Sequence, residues 1–223
     1  MPVYRALAPL CLLALGAGMP ARAGGHFDVD DADMLDPGRC QVELWAGSAG
    51  SPSTGFQHIG PACRVGAVEL QLNVDRSHGA DPQALSAGPA LKWRWLGAGD
   101  DVLRAAAEVG IASDLRRRGG PSRQWLLPLT WQPRPDLQVH ANVGADWSSP
   151  SGVRTPRRGL AAEWAADERV SVIVERNKAQ RAWTTRAGLR LALTPAASVD
   201  LSAARARPGG AVFVLGLNCE FGR

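Results

Sequence analysis

The chain has 223 residues, 45% hydrophobic and 21% charged, with a formal net charge of +4 at pH 7. That balance suits one or two folded domains and excludes the charge-rich, apolar-poor composition of a disordered chain. The charge is too small and too evenly mixed for a nucleic-acid footprint, and no RNP, zinc-finger or Gly-rich phosphate motif occurs, so nucleic acid is not an expected partner.

The first segment reads as an address. Arg5 precedes an apolar run from Ala6 to Gly18, and Ala21-Arg22-Ala23 supplies the small-x-small pattern of a signal peptidase site, so residues 1–23 are a signal peptide cleaved after Ala23. The run falls short of the roughly 20 residues of a membrane-crossing helix. Cys11 lacks a small residue directly before it, which argues against a lipid anchor. Residues 24–38 follow as an acidic periplasmic tail holding Asp28, Asp30, Asp31, Asp33 and Asp36. Their spacing lacks the glycine and closing glutamate of a calcium loop, so a solvated tail or a short plug is expected, with no metal and no cofactor.

From residue 39 the pattern changes to alternation. Val68, Leu70, Leu72 and Val74 interleave with Glu69, Gln71, Asn73 and Asp75. The same period runs through 103–111, 137–147, 183–193 and 213–221, and the apolar residues do not recur at three and four. Period two sustained over about 10 residues exceeds the 5 to 6 of a soluble sandwich strand and suits a strand tilted across a bilayer. In chain order the strands are expected near 39–48, 56–65, 67–76, 88–96, 102–113, 122–132, 136–148, 156–165, 168–177, 182–193, 197–206 and 211–221. The predicted fold is all-β, a transmembrane antiparallel up-and-down barrel of about 12 strands spanning 39–223, with ten as the alternative count.

The connections alternate between short and long, as periplasmic turns and external loops do. Trp125, Trp147 and Trp183 fall at the long-loop ends of their strands and Trp95, Trp131 and Trp164 at the short-turn ends, the two girdles of an aromatic belt. The last strand resembles the C-terminal signal read by the outer-membrane assembly machinery, with Gly216 early and Phe221 near the end; it departs from it at Cys219 and in the trailing Gly222-Arg223. As a whole the chain resembles small porin-like outer-membrane barrels of proteobacteria, and more loosely the uncharacterised barrels grouped with phenol-degradation-pathway outer-membrane proteins. The resemblance implies residence in a Gram-negative outer membrane.

The polar parity would line the lumen with Lys92, Arg94, Arg104, Glu108, His140, Asp146, Glu163, Glu175, Arg186 and Arg190. Glu175 falls opposite Arg186 across one hairpin, and Arg190 is diagonal to Asp200 across the next. Such a bore is either an ion-paired structural filling or a narrow channel for small polar or anionic solutes. A barrel enzyme is not expected, because no serine is placed as a nucleophile for His140. A soluble periplasmic barrel around a small apolar ligand is the alternative, and it requires the alternation inverted. Cys40 and Cys63 meet at the periplasmic rim as an expected disulfide, with Cys219 as the competing partner. Arg116, Arg117, Arg118, Arg154, Arg157 and Arg158 sit in or beside external loops, where lipopolysaccharide phosphates are the expected contact. Oligomeric state is not readable.

Overall fold

The computed structural model describes residues 26–79, 83–116, 120–148 and 151–222. The expected signal peptide and its cleavage site lie outside the described residues. Twelve strands follow one another: β1 (Arg39–Ala49), β2 (Ser51–Val65), β3 (Val68–His78), β4 (Leu85–Leu96), β5 (Leu103–Asp114), β6 (Ser122–Arg134), β7 (Leu137–Trp147), β8 (Arg154–Ala165), β9 (Val170–Ala179), β10 (Ala182–Thr194), β11 (Ala197–Arg207) and β12 (Ala211–Gly222). Each pairs antiparallel with its chain neighbour, and β1 pairs β12 from Arg39↔Gly222 to Ala49↔Val212, which closes the barrel and leaves no free edge.

The expected strands hold, and three of them begin earlier than expected: β2 at Ser51, β4 at Leu85 and β8 at Arg154. β2 starts at Ser51 because Gly50, at φ 73°, turns the chain tightly and its N–H donates to Ala211 O at 2.8 Å, anchoring the hairpin tip to β12. β8 starts at Arg154, where Trp147↔Arg154 extends the β7 ladder.

Proline interrupts the ladder without breaking the strands. Pairing skips Gly60 and Pro61 between β2 and β3, Gly88 and Pro89 between β4 and β5, and Leu127 and Pro128 between β5 and β6. A proline has no N–H to give, and each keeps its ladder on the opposite side, as Pro61↔Val42, Pro89↔Leu72 and Pro128↔Asn142.

The molecule is inside-out relative to a water-soluble domain. Its interior holds buried Arg104, Glu175, Asn218, Thr130 and Asp200, whereas Leu70, Leu160, Val174, Leu201 and Leu215 point outward and are exposed. The soluble alternative required the reverse and is overturned by this arrangement. At the rim where β1 begins and β12 ends, Cys40 and Cys63 occupy paired positions with Cα atoms 4.0 Å apart and form a disulfide.

Candidate functional site

Alternation sends every second residue of each strand inward, so the polar parity converges on the bore. All ten lumen candidates occupy that parity. The register Arg186↔Glu175 places those side chains 2.9 Å apart, Nε to Oε1. Arg190 stands directly opposite Asp200 rather than diagonal to it, with Nε donating to Oδ1 at 2.9 Å, and its Nη1 reaches Glu163 at 3.4 Å.

The acidic tail is not solvated. From Gly38 at the terminal rim it runs back up into the bore to mid-height, so that the plug is the form adopted. Its carboxylates meet the wall's cations: Asp28 Oδ2 lies 2.9 Å from Arg186 Nη2, Asp30 and Asp31 lie 3.3 and 3.6 Å from Lys92 Nζ, and Asp33 Oδ2 accepts from Arg104 Nη2 at 3.2 Å. Arg94 is 4.0 Å from Asp33.

The wall also satisfies the tail's backbone. Glu175 accepts the N–H groups of Asp28 and Val29 at 3.0 and 2.9 Å, Thr130 Oγ1 accepts that of Ala32 at 2.8 Å, and Glu69 accepts that of Leu35 at 2.9 Å. Asn142, with its amide oriented to satisfy both groups, donates to Asp30 O at 2.8 Å and accepts from Asp30 N at 2.7 Å. Inward-facing glycines leave the room: a Cβ on Gly159 would stand 2.6 Å from Val29, one on Gly188 2.9 Å from Phe27, and one on Gly216 2.8 Å from His26. Polar backbone in such a slot needs partners, and the N–H groups of Asp28, Val29, Asp30, Ala32 and Leu35 have them.

His26 sits at the inner end, its Nε2 2.6 Å from Ser202 Oγ. Burial, joined by Arg186 and Arg190 and opposed by Asp200, lowers its pKa to about 4, so at neutral pH it is uncharged. The bore keeps a cavity of about 820 Å³, a vestibule lined at the long-loop side by Glu108, Asp146 and Arg157 that continues beside the tail to Leu35, Gln41 and Glu69. Arg157, expected among the outward-facing arginines, points inward, with Nη1 3.5 Å from Asp146 and 3.1 Å from Gln124. It alternates with Arg158, so one of the two had to face the bore.

Sequence reasoning missed the aromatic part of that vestibule. Trp45 stacks on His58 at 4.4 Å and meets Phe56 edge-on at 5.6 Å, and His58 Nδ1 lies 2.8 Å from Asp75 Oδ1. The signal was the same alternation, which puts Trp45 in register with Glu43. His140 is tied to Thr130 Oγ1 at 3.0 Å and helps hold the tail's anchor point.

On the outer face, Trp95, Trp131 and Trp164 lie at the short-turn side and are 60%, 49% and 48% exposed. Trp125 and Trp147 border a recess in the wall at the long-loop side, and Arg154 lies 5.2 Å over the Trp147 ring. Trp183 occupies the same height on β10, with Arg158 5.2 Å over its ring. Arg116 bonds Gln83 at 3.0 Å, while Arg117 and Arg118 lie outside the described residues.

A twelve-stranded antiparallel barrel, apolar outside, charged inside and with its own N-terminal segment docked in the bore, has the fold of small porin-like outer-membrane barrels. The chain belongs to the family described as uncharacterised conserved protein UCP029691, which matches residues 11–212. Among solved structures it is similar to the KdgM porin in complex with disordered oligogalacturonate, with a TM-score of 0.67 at 9% identity over 81% of this chain and 99% of that one. The NanC porin gives 0.60 at 9% identity, covering 80% and 98%. The COG4313 outer membrane channel from Pseudomonas putida F1 gives 0.57 at 13% identity, covering 88% and 100%. No curated protein matches the sequence.

Proposed function

We propose that the protein is an outer-membrane channel for small anionic solutes, closed at rest by its acidic N-terminal segment. The outward apolar band supports membrane residence, since a contiguous exposed surface of this kind is not sustained in water by a monomer. The long-loop rim then faces outward and the terminal rim the periplasm, where the compartment suits the Cys40–Cys63 disulfide.

The observation that carries the channel reading is the pairing of tail and wall. Lys92, Arg104 and Arg186 each hold a carboxylate of the tail, so the wall binds carboxylates in a row along the bore. A solute bearing carboxylates competes for those cations once the tail withdraws, and the KdgM porin, whose structure holds an oligogalacturonate, has the same barrel architecture. His26, Phe27 and Val29, seated against wall glycines, fix the resting position.

The test is planar-bilayer conductance of the refolded protein. Wild type is expected to open rarely, and the variant carrying D28N, D30N, D31N and D33N to open often and with anion preference. Adding Arg104→Glu and Arg186→Glu to that variant should reverse the preference. A barrel that inserts but stays silent in every variant supports a second reading, a closed structural barrel, which the wall-to-wall pairs Arg186–Glu175 and Arg190–Asp200 favour. In either case β12, which closes the barrel against β1, is the strand we assign to recognition by the assembly machinery.

A further inference from the structure

On the outer face, at the long-loop end of β8 to β11, basic residues gather around one indole. Trp183 has Arg158 at 5.2 Å, Arg176 at 4.9 Å and Lys178 at 5.7 Å from its ring centroid. The register continues the group onto β11, where Arg207 pairs Trp183 and Arg205 pairs Thr185. All four arginines are exposed. No carboxylate bonds to any of the five cations among the described residues, and the outward parity of β8 to β11 contains no Asp or Glu at all.

One step further down these strands the surface turns apolar, with Leu160, Val174, Leu189 and Leu201 exposed. A basic group bounded by apolar wall on one side and loops on the other stands at the height of lipid headgroups, and an indole is the ring that prefers that level. Guanidinium groups fork onto phosphate oxygens, while an indole lying beneath them holds their planes in place by cation–π contact.

We propose that the Trp183-centred cluster on the barrel wall is a binding site for the phosphorylated headgroup of the outer-leaflet glycolipid, with Arg158, Arg176 and Lys178 on the phosphate and Arg205 and Arg207 extending the contact. This rests on the outer-membrane reading above. It moves the lipid contact from the loops, where the sequence suggested it, onto the wall. An acidic protein partner is the less fitting occupant, because the apolar wall directly below would then be left against water.

Native mass spectrometry of the detergent-purified full protein tests this, using bisphosphorylated lipid A, the same lipid stripped of phosphate, phosphatidylethanolamine and inorganic phosphate as probes. Wild type should retain bisphosphorylated lipid A and release the stripped lipid and phosphatidylethanolamine. The double variant R176A/K178A removes two surface cations, and its affinity for bisphosphorylated lipid A should fall about thirtyfold. W183L should lose less. Equal retention by wild type and the double variant, or retention that ignores the phosphates, overturns the site, and binding of inorganic phosphate as tight as that of the lipid overturns the lipid as occupant. Heat-modifiable migration on gels and insertion into vesicles are read on every variant. A protein that fails to insert overturns the membrane reading itself, whereas one that inserts and ignores lipid A overturns only the site.

Discussion

Arg186 joins wall to plug, since its guanidinium meets Glu175 Oε1 and Asp28 Oδ2, each at 2.9 Å. Its removal leaves the buried Glu175 carboxylate facing half-exposed Asp28 without a cation, and stripping the partner from a buried charge costs several kcal/mol. R186A is therefore expected to destabilise the folded barrel by about 3 kcal/mol, measured by urea unfolding, while R186K keeps part of that. The Glu175–Arg186 half of this contact was legible in the sequence. Gln180 and Arg181, at φ 47° and 70°, form a two-residue turn that fixes the hairpin register, and register dictates the partner. The Asp28 half was not, because 158 residues separate the partners and no local pattern spans that distance.

Strands announce themselves through a local period and the tail does not. Alternation is repeated every two residues, so all twelve strands could be read, with proline costing only one side of a ladder at Pro61, Pro89 and Pro128. The tail has no period, and its place is set by partners spread over most of the strands. Its seat can be tested by filling it: Gly159→Leu puts a side chain where Val29 lies and should raise open probability in bilayers several-fold without unfolding the barrel, whereas Gly110→Ala, away from the tail, should leave gating unchanged. Docking should also depend on acidity. His26 is held near 4 when docked, below the 6.5 of a free imidazole, so the docked tail binds a proton less readily than the free one. The His26 contribution to docking is therefore at full strength above pH 6.5 and is lost as pH falls through the window down to 4. Conductance recorded across that window should rise toward acid in wild type, and the rise should be diminished in H26Q.

For the molecule as a whole, the inverted surface sets the rule for substitution. Leu160 and Val174 are more than half exposed on the outer wall, and an arginine at either should cost about 2–4 kcal/mol if the wall lies in lipid and almost nothing if it lies in water. Folding titrations in vesicles and in detergent distinguish the two. The disulfide closes a 23-residue separation, and replacing both Cys40 and Cys63 by serine should lower stability by about 3 kcal/mol, read as a lower urea midpoint. That same bond gives the plug a fixed stroke. The segment hinges at Gly38, whose φ of 78° turns the chain out of the bore, and the cross-link to the neighbouring strand begins two residues later. Between His26 and the hinge the plug can pay out at most about 45 Å of chain at ~3.4 Å per residue before it comes up against Cys40, where any load passes sideways into β2. Withdrawal of the plug through the terminal rim would thus stop at the cross-link and leave the wall paired.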